Sequence, residues 1–333
     1  MRALVWTGAE QMVIEEREQP RVQEGWVLVH IAAVGVCGSE LSGYMGHNSL
    51  RVPPLIMGHE FSGTLMTATE EWPAGQLVTV NPLVTCGHCR YCREGNRQLC
   101  VDRKIIGIDY PGGFAEFVAV PAQNCYPVSS PEAGAIVEPL ACAVRATRLA
   151  EVEAGDRAVV YGAGTIGLLA VRLLVLRGVQ EIAVVDTNQD RLTLAAEWGA
   201  TSLKNPADSR TKPLGADWDV VIDAVGAAST RQNGLSAVRR GGHVVWLGLH
   251  EADSTIAANA IVRDEVQIRG SFCYADDDFR RAVLLAQDRA IVQGRWLVHR
   301  RVEEGVQEFH DQTHKDVSYS KALLTFNSQQ GGQ

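Results

Sequence analysis

Four cysteines, Cys86, Cys89, Cys92 and Cys100, follow one another as C-x2-C-x2-C-x7-C in a polar stretch rich in glycine and arginine. Four thiolates on one short loop are the donor set of a closed tetrahedral zinc site, which ties the loop together and leaves no position open for a substrate. His88 lies inside the loop and reads as a solvated residue. A second signal is Gly162-Ala163-Gly164-Thr165-Ile166-Gly167. Glycines there let the backbone approach a pyrophosphate, whose charge meets the unpaired N–H groups of a helix N-terminus. A GxGxxG alone is weak, but an apolar run before it, a helical pattern after it and Asp186 at the end of the next strand all agree. Asp186 is placed to accept hydrogen bonds from a ribose diol and to repel a 2′-phosphate, which favours NAD over NADP.

A third signal is dispersed. Cys37 stands in Gly35-Val36-Cys37-Gly38-Ser39-Glu40, His59 and Glu60 in Gly58-His59-Glu60, and Glu138 in Val137-Glu138-Pro139. A lone cysteine or histidine is more often packing than chemistry. Together these residues could offer a thiolate, an imidazole and one or two carboxylates to a catalytic zinc that keeps an exchangeable water. Spacing alone leaves open whether they meet.

The first third of the chain alternates short apolar runs with Gly and Pro punctuation (residues 3–6, 26–31, 76–80 and 114–120), which predicts a β-rich domain built as a partly open barrel. From about Ile136 the period changes. A buried strand at 158–161, a helix at 165–176 and a strand at 181–186 form a right-handed parallel unit. A helix at 190–198, a strand at 220–223, a helix at 229–238 and strands at 243–247 and 266–270 continue it into a doubly wound parallel sheet. A helix at 277–287, short mixed elements and a last strand at 322–326 follow, and the polar tail 327–333 reads as a frayed end.

The 333 residues suggest about two domains, and 46% hydrophobic with 21% charged residues is a globular composition. A net charge of −8 with no basic run argues against nucleic acid as a partner. No apolar run reaches the length of a membrane span, and the N-terminus has no signal-like core, so a cytosolic protein is expected. Eight cysteines would be unusual as disulfides in that compartment, so the clustered ones are better read as metal ligands.

Taken in order, Gly35-Val36-Cys37-Gly38-Ser39, Gly58-His59-Glu60, the four-cysteine loop, Val137-Glu138-Pro139-Leu140-Ala141 and the Gly162–Gly167 motif resemble the zinc-containing medium-chain dehydrogenase/reductase family, from about Val5 to Phe326. The chain is more similar to the sorbitol and threonine dehydrogenase branch than to the ethanol enzymes, which carry a cysteine ligand where this chain has Glu138. The resemblance implies a GroES-like zinc-bearing catalytic domain of residues 1–139 and 272–333 and a Rossmann NAD-binding domain of residues 140–271. It implies two zinc ions per chain. Cys37 and His59 are then the catalytic zinc ligands, Glu60 and Glu138 alternate with water in the remaining positions, Ser39 takes the hydroxyl proton toward the nicotinamide ribose, and Arg191 contacts the adenosine ribose. The implied reaction passes a hydride from a secondary alcohol, a polyol or sugar-like compound, to NAD and gives a ketone. The alternatives are a threonine-type or simple-alcohol dehydrogenase, a zinc-independent NADPH reductase, against which Asp186 and the Cys37–His59 pair count, and a coenzyme-binding protein without turnover. A homodimer or homotetramer is expected. The chain departs from the family at Ser42, where many members carry the histidine that ends the proton relay, so the relay ends in water or another group. His47 reads as a surface histidine, residues 67–73 are shortened, and Tyr44 is the only aromatic residue just after the cysteine.

Overall fold

A computed structural model describes residues 1–210 and 214–326, so the tail 327–333 lies outside the described residues. The described residues pack as two compact units: one of Met1–Glu138, Phe279–Val317 and 321–326, the other of Pro139–Asp278 with Ser318–Ser320.

The second unit is built on six parallel strands, side by side as Ser202–Lys204, Glu181–Val185, Arg157–Tyr161, Trp218–Asp223, Val238–Trp246 and Gln267–Gly270. Counted along the chain the order is 3-2-1-4-5-6, the Rossmann order, and the reversal beside Arg157–Tyr161 is where such sheets open a crevice at the carboxyl ends of their strands. Parallel strands are covered on both faces and need apolar side chains on each. The sequence supplies them: Ala158, Val159, Val160, Ala183, Val221 and Val244 are fully buried. The fifth strand begins at Val238 rather than at 243: Val238 pairs with Trp218 ahead of a register shift, and the arginines that follow are held by ion pairs, Arg239 to Asp219 (2.6 Å) and Arg240 to Asp264 (3.1 Å).

One charged cluster is built into this unit. Asp278, with no exposed surface, accepts from Arg148 through both oxygens (2.8 and 3.0 Å) and from the backbone of Ala275 (3.0 Å), and lies 3.5 Å from Arg145. Burial works against its ionisation, but the hydrogen bond and charge of Arg148 hold its carboxyl below the usual range. Asp278→Ala leaves two guanidinium groups without their anion, and we expect a loss on the order of 2–3 kcal/mol after allowing for the partial exposure of Arg148. Calorimetry should show the thermal midpoint falling by several degrees; an unchanged midpoint would mean that water satisfies both arginines.

In the first unit the strand Trp26–Gly35 is the hub, paired antiparallel with Glu60–Leu65, Phe117–Pro121 and Lys321–Thr325. Leu77–Val80 and Cys125–Pro127 extend the sheet on one side, and Leu297–Arg301 on the other. The hub delivers its last residues, Gly35 and Val36, to Cys37, and the neighbouring strand starts at Glu60. Of the helices absent from the sequence expectation, two run to ten residues or more. Pro131–Leu149 is hidden by Gly134 and Pro139, which punctuate its pattern like a turn, although Pro131 at its first position is a favourable start. Gly305–His314 lacks any side-chain cap that would announce it. No helix among the described residues is long and apolar enough to cross a membrane.

Candidate metal centres and coenzyme loop

The four-cysteine loop folds as a short helix, Arg90–Arg93, and a 3-10 turn, Arg97–Leu99, which turn all four sulfurs inward. Their ligand atoms lie within 4.8 Å of one another. Cys86 and Cys92 are 3.9 Å apart, Cys89 and Cys92 3.6 Å, and Cys100 and Cys86 3.6 Å. Zn–S bonds of about 2.3 Å in a tetrahedron put sulfurs roughly 3.8 Å apart, so the set fits zinc. Charge agrees with shape. A backbone hydrogen bond from Cys92 lowers the Cys89 thiol to about 6, while burial pushes Cys92 up to about 12. Crowded thiols that cannot all ionise alone are what a dication relieves. His88 is exposed, points its Nδ1 at the carbonyl of Cys86 (2.8 Å) and is not in the group.

The dispersed residues meet in part. Ligand atoms of Cys37, His59 and Glu60 lie within 4.8 Å of one another, and Glu138, buried on Pro131–Leu149, is not in that group. Cys37 is the N-cap of the helix Gly38–Tyr44, and Glu40 at its third position turns back so that Oε2 accepts the Cys37 N–H (3.0 Å). The other oxygen of Glu40 accepts from the Gly58 N–H (2.8 Å) and meets His59 Nδ1 (2.8 Å). A carboxylate only accepts, so Nδ1 is the protonated nitrogen and Nε2 is left for a metal. Burial opposes the ionisation of Glu40, yet His59 and Arg51 keep its carboxyl below the usual range. Burial likewise works against the charged form of His59, and the negative charges of Glu40 and Cys37 raise it well above the ordinary value. Metal binding would therefore release a proton from this imidazole. Gly58, at φ +99°, has no room for a side chain, because a Cβ would stand 2.7 Å from the Phe114 nitrogen.

Glu60 is 1% exposed and forms an ion pair with Lys321, which is equally buried and also donates to the Val36 carbonyl (3.0 Å). Burial would lower the pKa of this lysine, but Glu60 and Cys37 hold it above the ordinary value. One oxygen of Glu60 is thus engaged by an ammonium, leaving the other for a metal. Ser39, exposed, donates to Cys37 Sγ (3.4 Å) and accepts from Arg51 Nη2 (3.2 Å). A thiolate, an imidazole and a carboxylate around one point, with an exposed hydroxyl beside them, fit a zinc that keeps an open position. Sequence reasoning assigned no role to Glu40, Arg51 or Lys321. Only Glu40 had a local signal, an acid one helical turn past Cys37; Lys321 is 261 residues from Glu60.

In the second unit, Gly162–Gly167 turns from the strand Arg157–Tyr161 into the helix Thr165–Leu176. Its glycines are there for different reasons. Gly162 adopts φ +92°, a Cβ on Gly167 would collide with the Gly162 carbonyl, and Gly164 faces open space. Close turn, close packing and free approach are what a dinucleotide loop needs. Thr165 Oγ1 donates to the Ser320 carbonyl (2.5 Å), and Ser320 Oγ to that of Ala163 (3.0 Å). Ile166 is the next helical residue. Asp186 braces the loop, accepting from the Ala163 N–H (2.6 Å) and the Asn188 N–H (2.7 Å). Arg191 has its backbone N–H on the Asn188 cap and a buried Nε without a partner.

Loss of the two metals should differ. We expect two zinc ions per chain by elemental analysis. Mild chelation should remove one first, with activity, because a site with one thiolate and a carboxylate shared with Lys321 holds metal less tightly than four thiolates. Cys89→Ser should instead lower thermal stability first. Simultaneous loss of both metals would contradict two separate sites.

Residues 23–130 match the alcohol dehydrogenase GroES-like domain and residues 165–288 the zinc-binding dehydrogenase domain. The chain is 32% identical over 348 aligned positions to D-xylulose reductase A of Neosartorya fischeri, covering 97% of this chain and 95% of that protein. It is 30% identical to the L-galactonate-5-dehydrogenase of Escherichia coli, with 97% of each covered. Among solved structures, an alcohol dehydrogenase of Escherichia coli complexed with NADH superposes with a TM-score of 0.88 at 27% identity, over 98% of this chain and 99% of that one.

Proposed function

The chain belongs to the zinc-containing medium-chain dehydrogenase/reductase family, and from that premise we propose that it oxidises a secondary alcohol of a polyol or sugar-derived chain to the ketone, with NAD as hydride acceptor. The observation that carries this reading is the convergence of Cys37, His59 and Glu60 beside the exposed Ser39 hydroxyl. A zinc ion held there would polarise the substrate hydroxyl as a Lewis acid. Glu40 fixes the tautomer and direction of His59, and Lys321 neutralises Glu60 behind it. Ser39 accepts from Arg51 through one lone pair, so its other lone pair can take the proton of the substrate hydroxyl while its own O–H proton, turned away from Cys37, passes outward. Glu138, as a ligand that alternates with water, belongs to the proposal through the branch resemblance. The relatives named for xylulose and galactonate support a hydroxyl-rich substrate. The reading includes the domain division at 139/140 and 271/272, a dimer or tetramer in solution, and a reducing cytosol, which the clustered cysteines suit.

The test is a panel of alditols, sugar acids, threonine and simple secondary alcohols with NAD, followed by NADH absorbance. Polyol-type substrates should give the highest kcat/KM. Best turnover of threonine or of a simple alcohol would replace the reading.

A further inference from the structure

One buried cation beside this centre has only part of its hydrogen-bonding capacity used in the scheme above. Arg51 is 4% exposed, and its aliphatic stem lies over Gly43, where a Cβ would come within 2.6 Å of Arg51 Cδ. Its Nη2 donates to Ser39 Oγ, but its Nε and Nη1 are buried without a hydrogen-bond partner. The nearest acid does not supply one: Glu40 spends its oxygens on the Cys37 and Gly58 N–H groups and on His59. A buried guanidinium with open donors and no ion pair among the described residues is costly unless an anion arrives to meet it. Hydroxyl groups alone do not neutralise it. A planar oxyanion does, because the guanidinium fork matches carboxylate and phosphate oxygens in pairs. The flanking Leu50 and Val52 are 69% and 71% exposed, so the segment carrying Arg51 is at the surface while its charge is turned inward to Ser39.

We propose that Arg51 recognises an oxyanion on the substrate, so that this enzyme acts on a polyhydroxylated chain ending in a carboxylate or a phosphate, with the reacting hydroxyl at Ser39 and the anionic end at the open N–H groups of Arg51. The inference rests on the polyol reading and narrows it. Ser39 sits on both paths, as the proton-transfer hydroxyl and as the guanidinium's hydrogen-bond partner among the described residues, so the anion sets the register in which the chain presents its hydroxyl.

The experiment compares L-galactonate, galactitol and galactitol 1-phosphate, which share one carbon chain and differ in the terminal group, with wild type, Arg51→Met and Arg51→Lys. The wild type should favour one of the anionic compounds over galactitol by at least about tenfold in kcat/KM. Arg51→Met should cost that compound about tenfold or more beyond what it costs galactitol, the excess carried by KM, while the loss common to all three compounds reports the support that Arg51 gives Ser39; the Kd for NAD should be unchanged, with partial recovery of the excess in Arg51→Lys. Which anion wins separates carboxylate from phosphate. Equal losses on all three compounds would make Arg51 a support for Ser39 alone, and a weakened Kd for NAD would assign it to the coenzyme phosphates; either result overturns the proposal. Calorimetric titration with L-galactonate and galactitol 1-phosphate decides the matter independently of turnover. If no polyol reacts, the polyol reading falls, while anion binding that vanishes in Arg51→Met still upholds the role of Arg51 and anion binding equal in both proteins, or none in either, still removes it.

Discussion

Replacing Cys37 by serine or His59 by alanine should reduce turnover by at least about a thousandfold while NAD still binds with nearly its original affinity. The group that could hold a metal draws on Cys37, His59 and Glu60, and one oxygen of Glu60 is already bound to Lys321. Losing the thiolate or the imidazole leaves too few strong donors to retain a zinc. The residues that would bind NAD, Gly162–Gly167 and Asp186, fall in the other compact unit. The two variants differ in a side effect. His59→Ala also strips the fully buried Glu40 of the one side-chain hydrogen-bond partner it has among the described residues (2.8 Å), so it should lose stability as well. Cys37→Ser keeps the Glu40–His59 pair and isolates the metal effect. Zinc content should fall from two to one in both. Equal loss of NAD affinity and turnover would sink the assignment of separate metal and coenzyme sites.

What the sequence disclosed follows from how local each signal is. The doubly wound sheet was legible because its strands are apolar on both faces and its loop glycines sit at fixed offsets, so Thr165–Leu176 was read with its observed bounds. The four-cysteine site was legible because all its donors come from fifteen consecutive residues, 86–100. The residues that complete the other centre were not. Lys321 enters from the last strand and Arg51 from an irregular segment between a helix and a strand; each is an ordinary surface type by composition, and only the fold buries it. Glu40 was visible as a letter, but its role depends on Gly58 bringing His59 round at a positive φ. The helix Pro131–Leu149 went unread because a proline in its middle outweighed an apolar stripe that tertiary packing rewards.

Asp186→Ser should shrink the preference for NAD over NADP, which we expect to be on the order of a hundredfold or more in catalytic efficiency, roughly 3 kcal/mol, in the wild type. Asp186 stands one residue past the strand Glu181–Val185, where a carboxylate accepts from a ribose diol and opposes a 2′-phosphate. The structure adds a complication that the sequence did not. Asp186 also accepts the Ala163 N–H at 2.6 Å and the Asn188 N–H at 2.7 Å, so its loss loosens the glycine loop as well. That loosening falls on both coenzymes, because both place a pyrophosphate on the same loop, and it cancels in the ratio of their efficiencies. The ratio therefore isolates the ribose contact, while the absolute fall with NAD contains both effects. Arg191 supplies the gain on the other side, since its buried Nε has no partner and can turn to a 2′-phosphate once the carboxylate is gone. Asp186→Ser should lower efficiency with NAD by more than tenfold and leave NADP equal or improved. Adding Arg191→Met to that variant should remove any NADP gain. Efficiencies with both coenzymes on one substrate decide it: a wild type that uses NADP as well as NAD, or a ratio unmoved by Asp186→Ser, would mean that this carboxylate serves the loop and never reaches the ribose.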